Sequence, residues 1–126
     1  VSTVLDASAL LAYLHREPGW ERVQSALAGA CIGAVNWCEV ALKAERNGLD
    51  VPRIRSLLQE MDLNIIPFTA EQAETAAMLW SATQAHGLSL ADRACLALAF
   101  ELHLPALTAD RAWSALGLDI EVQLIR

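Results

Sequence analysis

The sequence predicts an α/β fold in which a parallel sheet of four or five strands is covered on both faces by helices. Three observations carry this. Short apolar pieces of β character, "TVL", "CIGAV", "NIIPF", "PALT" and "EVQLI", alternate with segments of helical period. Most of the pieces are short apolar runs, as expected of buried parallel strands. Chemically active residues gather where strands give way to helices, the edge at which such sheets bind ligands.

Taken in order, "TVL" runs directly into Asp6 and the apolar "DASALLAYL", which reads as a core helix. "PGWERVQSALAG" follows as a helix with Pro18 at its start and Gly29 at its end. After "CIGAV" comes "NWCEVALKAE", where Asn36 and Glu39 have the spacing of a capping box. "VPRIRSLLQEM" sets Ile54, Leu57, Leu58 and Met61 on one stripe, with Asp50 as cap and Pro52 in the first turn. Beyond "NIIPF", the segment 69–87 opens with a Thr69–Gln72 capping box and stops at Gly87. "SLADRACLAL" opens on a second such pair, Ser89 and Asp92, and "TADRAW" follows "PALT".

At 126 residues the chain is expected to be one domain, 1–126, large enough to bury a core without crosslinks. A hydrophobic content of 55% and a mean hydropathy of +0.33 exclude disorder. Charges, prolines and glycines interrupt every apolar run before it reaches membrane-spanning length. No basic n-region or signal-type cleavage site is visible, so a cytoplasmic location is expected. Cys31, Cys38 and Cys95 have no CxxC spacing and an odd count, which suits reduced, mostly buried thiols rather than a metal site. The net charge of −6 argues against nucleic-acid binding through a broad basic face.

Four acids occupy strand-to-helix entries or first turns: Asp6, Glu39, Asp92 and Asp110. Each alone reads as a cap, since a carboxylate at a helix start gains about 0.3–1 kcal/mol from the dipole. Together they read differently, because this chain also caps with neutral Thr69 and Gln72. If the sheet brings the four together, each pair about 5 Å apart repels by roughly 3 kcal/mol at an effective dielectric near 20. Such a cluster needs protonation, Arg partners or a cation. Hard oxygen ligands without clustered His or Cys suit Mg²⁺ or Mn²⁺, and Ser8 adds a hydroxyl at the Asp6 opening.

"TVLDASALLAYL", "AVNWCEVALKAERNG", "GLSLADRACLALAFELHLPALTADRAW" and "IEVQLIR" resemble, in order and over essentially the whole chain, the PIN-domain family. More narrowly they resemble the VapC ribonuclease toxins of bacterial and archaeal toxin–antitoxin pairs. The resemblance implies a three-layer α/β/α sandwich with an acidic pocket at the carboxyl edge of its sheet. It matches Asp6, Glu39, Asp92 and Asp110 to the acidic quartet that is both catalytic and metal-ligating, and Ser8 to the small hydroxyl after the first acid, with no acid substituted. It also implies a homodimer and a cognate VapB-like antitoxin whose inserted segment blocks the pocket.

The expected activity is hydrolysis of RNA phosphodiesters dependent on Mg²⁺ or Mn²⁺. Ser89 supports Asp92 as its capping partner. Arg93 and Arg111, beside two of the acids, either touch phosphate or pair with a neighbouring carboxylate. Removing the four acids from fifteen leaves eleven against nine Lys and Arg, so much of the acidity belongs to the site. His15, His86 and His103 fall near predicted helix C-termini, and Trp20, Trp37, Trp80 and Trp113 read as core or interface residues. An aspartyl phosphatase wants D-x-D where this chain has Asp6-Ala7-Ser8, and a receiver domain wants a Lys near its end where the sole lysine is Lys43. A non-catalytic adaptor using the acids only as caps is the other alternative.

Overall fold

The computed structural model describes residues 2–126. Five short strands, β1 (Val4–Leu5), β2 (Cys31–Gly33), β3 (Asn64–Ile66), β4 (Ala106–Thr108) and β5 (Val122–Leu124), form one parallel sheet in the order β3-β2-β1-β4-β5. Among the described residues seven α-helices intervene: α1 (Ala7–His15), α2 (Trp20–Ala26), α3 (Ala34–Arg46), α4 (Val51–Glu60), α5 (Ala70–Met78), α6 (Trp80–Thr83) and α7 (Leu90–Leu102). The sheet grows from β1 through β2 to β3 on one side and through β4 to β5 on the other. The order therefore reverses between β1 and β4, which opens a crevice at their carboxyl ends.

Period-two alternation divides the core. In register across the sheet, Leu5, Ile32 and Leu107 face one way and pack with Leu10 of α1, Val23 of α2 and Leu58 of α4. Val4, Cys31 and Ala106 face the other way, onto Cys95, Leu96 and Ala99 of α7 and onto Trp113. The inner strands β1, β2 and β4 are buried on both sides and are almost wholly apolar, whereas the edge strands β3 and β5 are partly exposed and carry Asn64 and Gln123. The result is the three-layer sandwich.

Several boundaries differ from the sequence reading. "CIGAV" is a strand only to Gly33, and Ala34 and Val35 already belong to α3. On the neighbouring strand β3 likewise ends at Ile66, opposite Gly33, so the ladder stops where α3 begins. Segment 69–87 is not one helix. It breaks after Met78 into α6 and a 3-10 turn, Gln84–His86, while the buried Thr83 hydroxyl bonds back to the Leu79 carbonyl. Only half of its capping box forms, since Gln72 N–H donates to Thr69 Oγ1 but the Gln72 side chain donates to Glu101 instead. Pro18 precedes α2, whose N-cap is Gly19 at φ +93°. There a Cβ would lie 2.4 Å from the Ile125 carbonyl oxygen, so only glycine lets the two backbones meet.

The histidines sit as expected, His15 and His86 closing helical segments and His103 as the C-cap of α7. Trp113 is 1% exposed, whereas Trp80 is 52% exposed. Cys31 and Cys95 are buried and Cys38 is exposed, all three as free thiols. No helix among the described residues is long and apolar enough to cross a membrane.

Candidate active site

The crevice between β1 and β4 carries a cavity of about 590 Å³. Asp6, Ser8, Glu39, Asp92 and Asp110 all line it. They arrive from separate segments. Asp6 follows β1 and caps α1, accepting the Ala9 N–H on Oδ1 at 2.9 Å. Asp92 stands in the first turn of α7, and Asp110 caps a 3-10 turn, Arg111–Ala115, by accepting the Ala112 N–H at 3.0 Å.

Whether Asp92 serves its own backbone or a ligand has a double answer. Its Oδ2 accepts the Ser89 N–H at 2.9 Å, and Ser89 Oγ accepts the Asp92 N–H at 3.2 Å, a complete capping box. One carboxylate oxygen suffices for that bond, and the residue still lines the cavity.

Glu39 differs from the sequence reading. Because α3 begins at Ala34, its cap is Gly33 and Glu39 belongs to the second turn. The Asn36–Glu39 pair is no capping box. Asn36 is 1% exposed, and its Nδ2 donates to the Ala91 carbonyl of α7 at 3.1 Å and to Glu39 at 3.5 Å. The glutamate thus projects from mid-helix, not from a helix mouth.

Asp6 is the most constrained of the four. Ser8 Oγ donates to its Oδ1 at 2.7 Å and Thr108 Oγ1 to its Oδ2 at 2.6 Å. Ser8 Oγ also accepts the Ala109 N–H at 2.9 Å, which ties the loop after β4 to the start of α1. Burial nonetheless pushes the Asp6 carboxyl up to about 6; the bonds from Thr108, Ala9 and Ser8 pull the other way, and the charge of Asp92 adds to the rise. Burial and the Asp92 charge also raise Glu39, against the Asn36 hydrogen bond. Cys95, fully buried, is held well above its ordinary value, first by burial and then by Asp6 and Asp92. It is therefore no nucleophile.

The donor set fits a hard divalent cation: four carboxylates and a hydroxyl, with two of the acids raised partly by the charge of a third. Among the described residues no three acids, histidines or cysteines are gathered closely enough to hold an ion unaided. The acids line an open wall, which suits Mg²⁺, an ion that keeps several waters and borrows phosphate oxygens from its substrate.

The arginines beside the acids do not reach the cavity wall. Arg93 donates to the Ala76 carbonyl of α5 at 2.9 Å, and Arg111 is exposed outside the lining. Ser89 is likewise outside it, acting through Asp92. The structure adds Thr108 and the basic pair Lys43 and Arg46 on the cavity wall, to which the sequence reading gives no part in the site, and it turns Asn36 from a cap into a tie between α3 and α7. Glu39, Lys43 and Arg46 are spaced i, i+4, i+7, one stripe of a helix, and that spacing is the available signal.

Comparison with known proteins agrees with this architecture. A toxin–antitoxin complex from Klebsiella pneumoniae contains a chain that superposes with a TM-score of 0.80 at 21% identity, covering 99% of this chain and 98% of that one. FitAcB from Neisseria gonorrhoeae gives 0.75 at 20%, covering 98% and 97%. Mycobacterium tuberculosis VapC20, described as a sarcin–ricin loop cleaving toxin, gives 0.74 at 16%, covering 95% and 99%. At these identities the likeness is one of fold. No curated protein is similar enough in sequence to match. The PIN domain model matches residues 3–118, a span that takes in all four acids, and the chain belongs to the PIN domain family.

Proposed function

We propose that this chain is an endoribonuclease dependent on Mg²⁺ or Mn²⁺, a VapC-like toxin restrained in the cytoplasm by a cognate VapB-like antitoxin. One observation carries the reading: Asp6, Glu39, Asp92 and Asp110, from four separate segments, line a single cavity at the point where the strand order reverses. One solved relative comes from a toxin–antitoxin complex and another is described as a sarcin–ricin loop cleaving toxin, which supports RNA as substrate class and an antitoxin as partner; a homodimer is the assembly in this reading. Residues 1–126 form one catalytic domain in this reading.

Asp6, Asp92 and Asp110, with Glu39, would hold the ion. When bound, it supplies Lewis-acid polarisation of the phosphodiester and positive charge for the leaving oxygen. Asp6, fixed by three hydrogen bonds, offers a pre-oriented carboxylate. Asp92 is oriented by the Ser89 N–H. Glu39 and Asp110, the two exposed acids, have the freedom to position attacking water and take its proton.

The test is cleavage of a panel of structured RNAs with Mg²⁺, Mn²⁺ or EDTA. Cleavage is expected with either ion and not with EDTA, and Asp6→Asn and Asp92→Asn should each abolish it with the fold intact. Full activity in both variants refutes the assignment. Intact RNA together with Mn²⁺ binding no tighter than that of Asp6→Asn establishes the adaptor instead.

A further inference from the structure

The cavity wall is not uniformly acidic. Of the nine Lys and Arg in the chain, Lys43 and Arg46 are the two that line it. Others are committed elsewhere: Arg16 lies over the Trp20 ring, Arg22 reaches Gln123, Arg93 reaches the Ala76 carbonyl, and Arg126 reaches the Pro18 carbonyl. Lys43 and Arg46 are both exposed. They continue the α3 stripe that begins at Glu39, lying about 6 Å and about 10 Å further along the helix axis at 1.5 Å per residue. From Lys43 to Arg46 the rise is about 4.5 Å, so the two long cationic side chains stand side by side on the wall beyond the acids. The remaining lining residues are Ala7, Leu11, Leu42 and Asn47, with no aromatic ring on which a base would stack. A cavity of about 590 Å³ takes one or two nucleotides, not a duplex.

We propose that Lys43 and Arg46 form a phosphate track leading out of the acidic cavity, which receives the backbone phosphates next to the scissile one in a single-stranded stretch of RNA. The acids and the track divide the work by charge. Four carboxylates repel an approaching polyanion, and two cations on the same wall give it a landing point displaced from them along α3. Without a stacking surface in the cavity, binding there reads backbone rather than base, so its affinity is governed by salt. The scissile role of the neighbouring phosphate rests on the nuclease reading; the binding itself does not. Had the pair served only to offset the repulsion among the acids, its loss would tighten Mn²⁺ binding and leave the response of RNA binding to salt unchanged.

The experiment measures binding of a fluorescein-labelled oligouridylate by anisotropy across a salt series, in EDTA, for wild type, K43Q/R46Q, K43R/R46K and R53Q/R55Q. Each lost phosphate contact lowers the slope of log K against log salt by about 0.7 for a single strand, so K43Q/R46Q should lose about 1.4. The charge-keeping K43R/R46K and the control R53Q/R55Q, whose exposed arginines lie on α4 outside the cavity lining, should retain the wild-type slope. An oligomer with neutral methylphosphonate linkages should bind wild type and K43Q/R46Q alike. With a cleaved RNA and Mn²⁺ present, K43Q/R46Q should raise KM about tenfold or more at low salt while kcat stays within about twofold, because the track holds flanking phosphates equally in the ground and transition states. An unchanged slope in K43Q/R46Q overturns the proposal. A wild type that cleaves nothing while K43Q/R46Q still loses the slope overturns the nuclease reading and leaves the track standing.

Discussion

Thr108 Oγ1 donates a 2.6 Å hydrogen bond to Oδ2 of Asp6, a residue 102 positions earlier in the chain, and accepts the Asp110 N–H at 3.0 Å. One buried hydroxyl thus fixes the first acid of the cavity and the backbone of the last. The parallel pairing of β1 with β4 makes this contact, since Leu5 lies beside Leu107, and Asp6, as it leaves the sheet, stands beside Thr108, the last residue of β4.

Thr108→Val keeps the side chain's shape and removes both bonds. Stability should fall by about 1–3 kcal/mol, the cost of leaving buried partners unsatisfied. The Thr108 bond pulls the Asp6 carboxyl down, so its loss should drive that carboxyl further above its value of about 6. The acidic limb of the pH–rate profile should therefore move to higher pH, and Thr108→Ser should restore it. A limb that stays in place in Thr108→Val would show that Asp6 ionisation does not govern the rate.

Asp6 also couples protons to stability. It titrates at about 6 in the fold against an ordinary 3.8, so between those values the folded chain holds more protons than the unfolded one. Stability then falls as pH rises through that window: the contribution is complete below 3.8 and lost above about 6, some 3 kcal/mol at about 1.4 kcal/mol per unit. Without divalent ion, Asp6→Asn should be more stable than wild type at pH 7.5 and lose that advantage at pH 4, and the difference between the two chains isolates Asp6 from the other acids. Added Mn²⁺ competes with the proton. It should raise the wild-type Tm at pH 7.5, much less at pH 5, and little in Asp6→Asn at either pH. An equal Mn²⁺ shift at both pH values would exclude Asp6 as a ligand.

Ser89 and Asp92 allow the cap to be separated from the site. Ser89→Ala removes the acceptor for the Asp92 N–H and should cost about 1 kcal/mol in denaturant unfolding, with cleavage reduced only a few-fold. Asp92→Asn keeps a carbonyl oxygen for the Ser89 N–H, so stability should change little while cleavage and Mn²⁺ binding are lost. It also removes a charge that raises Asp6, whose carboxyl should move down. Equal losses of stability and activity in both variants would leave Asp92 as a cap only.

Asp6, Asp92 and Asp110 are legible in the sequence because each stands where an apolar run gives way to a helix start, a local pattern. Thr108 is not, because a threonine ending a strand is an ordinary β residue until the partner strand is known. The start of α3 is hidden for a similar reason. Ala34 and Val35 continue an apolar run, and only the ends of the neighbouring strands, at Leu5 and Ile66, show that the pairing stops by Gly33. With α3 taken to open at Asn36, Glu39 reads as a first-turn acid and the stripe through Lys43 and Arg46 goes unprojected. Local chemistry is visible in the chain, whereas a residue whose role depends on its neighbour in the sheet is not.

Asn36 gives the sharpest test of how α3 and α7 are held in register at the cavity. Its Nδ2 donates to the Ala91 carbonyl, one residue before Asp92, and more weakly to Glu39, while its buried Oδ1 has no partner. Asn36→Asp is nearly isosteric but sets a carboxylate against a carbonyl oxygen and against the Glu39 carboxylate. At pH 8 it should cost about 1–3 kcal/mol for the unmade bond, and more if the new acid ionises. At pH 5 part of that loss should return, since the introduced carboxyl, once protonated, again has a hydrogen to donate. Asn36→Ala should lose stability equally at both pH values. In each variant kcat should fall more than KM rises, because the acids are displaced and the track on α3 is not. If N36D unfolds with the same midpoint at pH 5 and pH 8, the Asn36–Ala91 bond does not join the two helices, and the placement of Glu39 opposite Asp92 must come from packing alone.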